Sequence, residues 1–198
     1  MNTSLFMRMC VLVIFITSLV ISGFFRNKAR QDGDVIKRQE EGWLVLVIRL
    51  VVAIPFLIVL LLNIFYPSAM SWAKFNPPRF IQIAALILGF LCVPFLWWVF
   101  LSIGKNISET VLVKEEHELV TQGPYRWIRH PLYAGALLLL ISACLVLADY
   151  VLLGYVVVGM LAFRLLVIPA EEEHLLDTFG EDYECYQSRT GAMFPWIY

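Results

Sequence analysis

Charged residues are scarce in this chain. Asp, Glu, Lys and Arg make up 16% of its 198 residues, whereas hydrophobic residues make up 60%. An ordinary soluble domain is about a quarter charged and about half apolar, so the excess apolar surface faces something other than water. The apolar content and the formal net charge of -1 also exclude a basic nucleic-acid binder. The composition therefore predicts a protein embedded in lipid, with no nucleic-acid partner.

Potential metal ligands and disulfide partners are few. Cys10, Cys92 and Cys144 lie in apolar runs and Cys185 lies near the C-terminus, and no Cys-x-x-Cys pair occurs. This spacing indicates neither a disulfide framework nor a zinc site. We expect buried thiols and no bound metal.

Long apolar runs dominate the sequence instead. A helix needs about 20 mostly apolar residues to cross a bilayer, and the runs Leu5–Phe25, Trp43–Tyr66 and Phe80–Ile103 have that length. The stretch 132–168 is too long for one crossing and is interrupted only at Asp149, which indicates a tight helical hairpin. We therefore predict an all-α integral membrane protein with five transmembrane helices, forming a single membrane domain over residues 1–198.

The distribution of basic residues predicts the orientation of these helices. With five spans, segments 26–42, 104–131 and 169–198 lie on one side and carry five, four and one Lys or Arg, while the other side carries two. Lys and Arg accumulate on the cytoplasmic side of membrane proteins. We therefore expect the N-terminus outside, with the loop 104–131 and the tail 169–198 in the cytoplasm.

The loop before the fourth span ends in a cluster of basic and aromatic residues. His130 precedes Pro131 and is therefore expected to be extended, while proline is favoured at the first position of a helix. The imidazole and the guanidinium groups of Arg126 and Arg129 thus gather at a helix N-terminus, which attracts carboxylates and phosphates. Alternatively, Arg126, Trp127 and Arg129 anchor the chain at lipid headgroups.

Acidic residues follow the fifth span. Pro169 and Glu171 are typical of a helix start, where carboxylates complement the helix dipole. A helix beginning here would also project Glu171 toward the loop that contains His130. Glu171 and His174 have the spacing of one half of a di-iron site, but the sequence has no second Glu-x-x-His pair.

Together these two stretches resemble the isoprenylcysteine carboxyl methyltransferase family and its phospholipid-methyltransferase relatives. The resemblance covers about residues 100–198, and the five-span layout is similar to that of small prokaryotic members. The matching features are Gly104-x-Asn106-x-Ser108, His117-x-Leu119-Val120, Gly123-x-Tyr125, Arg129-His130-Pro131-x-Tyr133, Glu171-Glu172-x-x-Leu175 and Phe179-Gly180-x-x-Tyr183-x-x-Tyr186.

The resemblance implies that S-adenosylmethionine is the cofactor and that the loop and the tail hold it. The residues that it assigns to the cofactor are His117, Leu119, Val120, Tyr125, His130, Pro131, Leu132, Tyr133 and Glu171. It further implies methyl transfer to a lipidic or prenylated acceptor, for which we favour the carboxylate of an isoprenylcysteine-like molecule.

Two arginines are candidate catalytic residues that orient this carboxylate. The guanidinium groups of Arg129 and Arg164 suit carboxylate geometry. Family members commonly carry an arginine at the position of Val167. Arg164 is seven residues before Glu171 and would share its face on a continuous helix, although Pro169 interrupts that geometry.

Three other functions remain open from the sequence. A phospholipid amine N-methyltransferase would need a base to remove the ammonium proton. A sterol-reductase-like enzyme would need a denser basic site for its nicotinamide phosphate cofactor than a tail whose single basic residue is Arg189. A non-enzymatic membrane scaffold would leave the polar residues of the loop and tail without a role.

Overall fold

The computed structural model describes residues 4–31, 43–104 and 119–195, and within them the fold is helical. No β-strand occurs in these ranges, where pairing is limited to isolated bridges. The helices are α1 (Leu5–Gln31), α2 (Trp43–Phe65), α3 (Arg79–Ile103), α4 (Pro131–Leu147), α5 (Tyr150–Ala162), α6 (Ile168–Phe179) and α7 (Glu181–Gln187). The predicted all-helical class is confirmed. The loop residues with the spacing Gly-x-Asn-x-Ser lie mostly outside the described residues.

Three helical stretches among the described residues are long and apolar enough to cross a membrane. They are Leu5–Ala29, Arg79–Ile103 and Tyr150–Phe179. Leu50–Phe65 and Pro131–Leu147 are shorter and also apolar. These five segments correspond in position to the five expected spans, but the count of five remains a prediction because two of them are short.

The predicted hairpin around Asp149 is present. Helix α4 ends at Leu147 and α5 begins at Tyr150. Between them Ala148 has a positive φ of 53°, which reverses the chain. The Asp149 carboxylate then accepts the backbone N–H groups of Val151 at 2.9 Å and Leu152 at 3.1 Å. This is the N-cap arrangement that satisfies free N–H groups at a helix start.

The described chain forms two compact units. The first comprises Met1–Leu19, Trp43–Pro94 and Ala136–Met160. Its core is apolar, and Val11, Ile64 and Leu147 are among its buried residues. Their burial removes apolar surface from contact with the surroundings and packs the helices at close to crystal density.

An ion pair between Lys74 and Asp149 lies at the hairpin turn of this first unit. Lys74 Nζ lies 3.7 Å from the fully buried carboxylate of Asp149. The same ammonium donates to the Leu147 carbonyl at 2.8 Å and to the Asn63 side chain. The hairpin turn is thus held to the segment between α2 and α3 by charge and by hydrogen bonds.

The second unit comprises Val20–Gly42, Phe95–Gly135 and Leu161–Tyr198. Phe25 of α1 packs between two aromatic rings of α3. Its ring stacks on Phe100 with centroids 5.6 Å apart and meets Trp97 edge-on at 5.1 Å. The loop and the tail that carry the predicted site residues belong to this unit.

Gly123 allows the loop of the second unit to turn close to α3. It begins a short 3-10 turn, Gly123–Arg126, with a φ of 60°. This left-handed conformation favours glycine. A side chain at this position would also collide with Ser102 of α3. Glycine is therefore required where the loop passes close to α3.

Candidate functional site

The extended segment before α4 pairs with the end of the tail. The backbone N–H of Arg129 donates to the Gly191 carbonyl and that of His130 to the Ala192 carbonyl, each at 2.9 Å. Gly191 N–H returns a hydrogen bond to the Trp127 carbonyl at 3.1 Å. These bonds hold His130 in the extended conformation expected for a residue before proline.

Prolines place the two helices of the site. Pro131 begins α4 directly after His130, because its fixed φ suits a first helical position and it has no N–H to leave unpaired. Pro169 lies in the first turn of α6, which also contains Glu171. The segment Phe163–Val167 before α6 is helical too, so the helical backbone continues through Pro169, and the expectation that a helix starts there was wrong.

His130 lies between two carboxylates of α6. Its Nδ1 is 3.3 Å from Glu171 Oε2 and its Nε2 is 3.1 Å from Glu172 Oε1. The imidazole is buried, with 6% of its side chain exposed, whereas Glu171 keeps 22%. The hydroxyl of Tyr133 donates to the other oxygen of Glu171. The expected proximity of Glu171 to His130 is thus present in the structure.

This arrangement requires a charged imidazole. Burial alone lowers the pKa of His130, but the hydrogen bonds and charges of Glu171 and Glu172 outweigh it, so the pKa is raised from its ordinary value of 6.5. Both ring nitrogens can donate simultaneously only in the protonated form. The contacts of both ring nitrogens with carboxylates therefore favour the imidazolium form of His130.

Arg129 ties the loop to the tail. Its Nε–H donates to Glu172 Oε1 at 2.7 Å and its Nη1 donates to the carbonyl oxygens of Gln187, at 3.1 Å, and Thr190. Gln187 Nε2 donates to the other Glu172 oxygen at 3.0 Å. We therefore expect Arg129 to orient Glu172 and the tail rather than to touch an acceptor.

Aromatic rings continue from the imidazole toward α5. The centroid of the Tyr133 ring lies 5.7 Å from that of the His130 ring, with an angle of 13° between the ring planes. The centroid of the Phe163 ring lies 4.6 Å from that of the Tyr133 ring, with an angle of 18° between the planes. On the loop, Tyr125 is buried, and its carbonyl accepts the Tyr186 hydroxyl at 2.7 Å. Flat aromatic surface thus adjoins the charged cluster.

The chain between α5 and α6 departs from a regular α-helix. Phe163–Val167 is π-helical, with i→i+5 hydrogen bonds and hence more residues per turn. The turns between Arg164 and Glu171 therefore differ from those of a regular α-helix, and the shared face of these two residues stays a prediction. Arg164 is exposed beside Leu165 and Leu166, which are 64% and 69% exposed.

The remaining residues that were predicted to contact the cofactor differ in burial. Leu119 and Val120 are half-buried ahead of the turn, Pro131 is buried, and Leu132 is half-buried in the first turn of α4. His117 lies outside the described residues. No group of three or more His, Cys, Asp or Glu suited to a metal ion occurs in ranges 4–31, 43–104 and 119–195.

Sequence reasoning missed several residues of the site. Glu172 was recognised in the acidic run and in the family motif, but it was not expected to contact Arg129 and His130. Gln187 and Phe163 had no recognisable signal, since a long-range contact leaves no local pattern. A basic residue at the loop end and an adjacent pair of acids in the tail were the signals that could have found the Arg129–Glu172 pair.

Comparison with known proteins points to one family. The model of the isoprenylcysteine carboxyl methyltransferase family matches residues 84–177. This segment contains the loop end and both carboxylates. The resemblance inferred from the sequence motifs is confirmed.

Named relatives extend the comparison. Protein-S-isoprenylcysteine O-methyltransferase of Tribolium castaneum is 32% identical over 100 residues, covering 49% of this chain and 35% of the relative. That of Schizosaccharomyces pombe is 30% identical over 114 residues, covering 56% and 48%. Methanethiol S-methyltransferase 1 of Bradyrhizobium diazoefficiens is 31% identical over 77 residues, covering 36% and 24%. The chain thus spans less than half the length of each of these relatives.

A solved structure shares the fold. The eukaryotic intramembrane Ras methyltransferase, an isoprenylcysteine carboxyl methyltransferase, superposes with a TM-score of 0.54 at 25% identity, covering 82% of this chain and 55% of that one. Together with the apolar helices, this similarity identifies the chain as an integral membrane protein.

Proposed function

We propose that this protein is a membrane methyltransferase that uses S-adenosylmethionine to methylate the carboxylate of an isoprenylcysteine-like acceptor. The observation that carries the proposal is the clamp of His130 between Glu171 and Glu172, within the segment that matches the methyltransferase family. The named relatives, protein-S-isoprenylcysteine O-methyltransferases, support the choice of acceptor.

The residues of the site suit this cofactor. S-adenosylmethionine supplies a methyl group on a positively charged sulfur when it is bound. The partly exposed Glu171 carboxylate can meet the cationic groups of the cofactor, and the rings of Tyr125 and Tyr133 can pack against its adenine. Leu119, Val120, His130, Pro131 and Leu132 would complete its surroundings, as the family resemblance implies, together with His117.

The acceptor end of the site is proposed at Arg164. This cation is exposed on the π-helical segment among exposed leucines, which suits a molecule with an apolar tail and an anionic head. A carboxylate with a pKa of about 4 is ionised at neutral pH, so its attack needs no general base. The protein then contributes alignment and the exclusion of water.

The membrane arrangement belongs to the same proposal. We assign five spans, with the N-terminus outside and the loop 104–131 and the tail 169–198 in the cytoplasm, because Lys and Arg concentrate in those segments. The cofactor would then enter from the cytoplasm, while a lipidic acceptor would enter from the bilayer.

A thiol is the second candidate acceptor. It is favoured by the similarity to methanethiol S-methyltransferase 1, whose name states a thiol substrate. A thiol with a pKa of about 8.5 must lose its proton before it attacks, so this reaction would accelerate with pH.

Labelled methyl transfer tests the proposal. The purified protein is incubated with S-adenosylmethionine carrying a labelled methyl group and with one acceptor at a time: a prenylated cysteine with a free carboxylate, a small thiol, or phosphatidylethanolamine. We expect label in the prenylated cysteine as a base-labile methyl ester. Label only in the thiol favours the second candidate, label only in the phospholipid favours the amine N-methyltransferase, and no label in any acceptor contradicts a methyltransferase function.

A further inference from the structure

An aromatic ring beside the charged cluster packs on a residue of the candidate site. Phe163 is the first residue of the π-helical segment that follows α5. The centroid of its ring lies 4.6 Å from that of the Tyr133 ring, with an angle of 18° between the ring planes. Stacked pairs of this kind contribute free energy beyond the area that they bury. The contact therefore restricts the orientations that the Tyr133 ring can adopt.

The Tyr133 ring carries the hydroxyl that holds Glu171. This hydroxyl donates to Glu171 Oε1, while Oε2 of the same carboxylate lies 3.3 Å from His130 Nδ1. The strength of a hydrogen bond falls steeply as its angle departs from linearity, so a tilt of the ring would weaken this bond. Glu171 keeps 22% of its side chain exposed. The direction of a carboxylate that is open to a ligand thus depends on the Tyr133 ring.

The π-helical segment helps Phe163 and Glu171 to reach the same tyrosine. Glu171 is eight residues after Phe163. On a regular α-helix these eight steps turn the chain by roughly 80° beyond two full turns, which would separate the two side chains around the axis. A π-helical turn contains more residues, so each residue turns the chain by a smaller angle. Both residues contact Tyr133 in the structure, and single π-helical turns frequently occur at functional sites.

We propose that Phe163 is a positioning residue for cofactor binding. By stacking on Tyr133 it holds the tyrosine hydroxyl against Glu171, and it thereby keeps the Glu171 carboxylate directed at the cationic groups of S-adenosylmethionine. The assignment rests on the proposed function, in which Glu171 meets the cofactor. Phe163 acts through Tyr133, so its effect on binding requires the Tyr133 hydroxyl.

Substitutions at Phe163 test this proposal through the affinity for S-adenosylhomocysteine, measured by calorimetry with the full chain in detergent. We expect Phe163→Leu, which removes the ring and keeps an apolar side chain, to weaken binding about fivefold. Phe163→Tyr keeps the ring and should bind within about twofold of the unmodified chain. The matched control is Phe90→Leu, at an exposed position of α3, which should leave the affinity unaltered.

A double-substitution cycle distinguishes positioning from a general loss of packing. Tyr133→Phe keeps the ring that Phe163 contacts but removes the hydroxyl that Glu171 accepts. In this background Phe163→Leu should weaken binding by less than about twofold, because residues that act through one hydrogen bond are not additive. Melting temperatures without ligand identify the variants that are folded during the titration, and Phe163→Met, which also lacks the ring, replaces Phe163→Leu if the latter is unfolded.

The outcomes separate this proposal from the proposed function. If the unmodified chain binds the probe, unaltered affinity in Phe163→Leu contradicts the role of Phe163 alone. An equal loss with and without the Tyr133 hydroxyl also contradicts it, because Phe163 would then act by another route. A loss in Phe163→Tyr as large as in Phe163→Leu contradicts a role of the ring. No saturable binding by the unmodified chain contradicts the proposed function and this assignment with it.

Discussion

Glu172 Oε1 lies 3.1 Å from His130 Nε2. The same oxygen accepts the Nε–H of Arg129 at 2.7 Å. One carboxylate oxygen thus bridges two adjacent cations of the loop and fixes them to α6. The ionisation of His130 and the attachment of the tail by Arg129 therefore depend on the same carboxylate.

The protein should lose stability as pH rises through the pKa of His130 in the folded state. The pKa of His130 is raised in the folded state from 6.5, so folding favours its protonated form. This stabilisation is complete below the unfolded pKa and is lost as pH rises through the folded pKa. Melting temperatures measured in detergent from mildly acidic to basic pH should therefore decline across that window.

A variant without the imidazole isolates this effect. His130→Gln removes the titrating group, so its melting temperature should be lower at acidic pH and should lack most of the decline seen in the unmodified protein. An equal decline in both proteins would attribute the pH dependence to other groups and would contradict an imidazolium at this position.

Arg129→Gln should loosen the tail. The substitution removes the donors to Glu172 and Gln187, and breaking a buried pair costs up to about 3–5 kcal/mol. Hydrogen exchange should show faster exchange in residues 187–192. Arg126→Gln changes an exposed arginine on the same loop and should leave the exchange rates unaltered. Similar exchange rates of residues 187–192 in the Arg129→Gln and Arg126→Gln variants would contradict the role of Arg129 in attaching the tail.

Substitutions of two glutamates of α6 form a matched pair of variants that tests cofactor binding. Glu171→Gln should weaken binding of S-adenosylhomocysteine by about 1.5–3 kcal/mol, the usual contribution of a hydrogen bond to a charged group. Glu173→Gln should change it little, since Glu173 is exposed. Calorimetric titration gives both values. Equal losses, or no loss in either variant, would indicate that the acidic run only complements the helix dipole.

The helices and their ends could be predicted because their signals are local. Apolar runs located the long helices, and Asp149 and Ala148 reverse the chain where a single polar residue interrupts the fourth run. Pro131 likewise fixed the start of α4 and the extended His130. Each of these features depends on a few consecutive residues, which is why a single sequence reveals them.

The long-range contacts within the site could not be predicted in the same way. Arg129 and Glu172 are 43 residues apart, and two carboxylates in a first turn look alike whether they complement a dipole or bind a cation. The π-helical segment likewise has no proline or glycine within it.

Cysteine labelling in cells should establish the orientation. After Cys185→Ser removes the exposed native thiol, an impermeant reagent should label Ser71→Cys but not Glu181→Cys in intact cells. Both positions are exposed and lie in segments predicted on opposite sides of the membrane. Permeabilised cells should show labelling of both, and the reverse pattern in intact cells would contradict the five-span orientation.

Single-turnover methyl transfer to a prenylated cysteine carboxylate, with saturating cofactor, tests the central claim most directly. Between about pH 6 and pH 9 the acceptor is fully ionised. The rate of methyl ester formation should therefore show no rise with pH, and any decline should follow the loss of the His130 proton. Absence of the ester at every pH, or a log-linear rise of the rate with unit slope, would contradict transfer to a carboxylate.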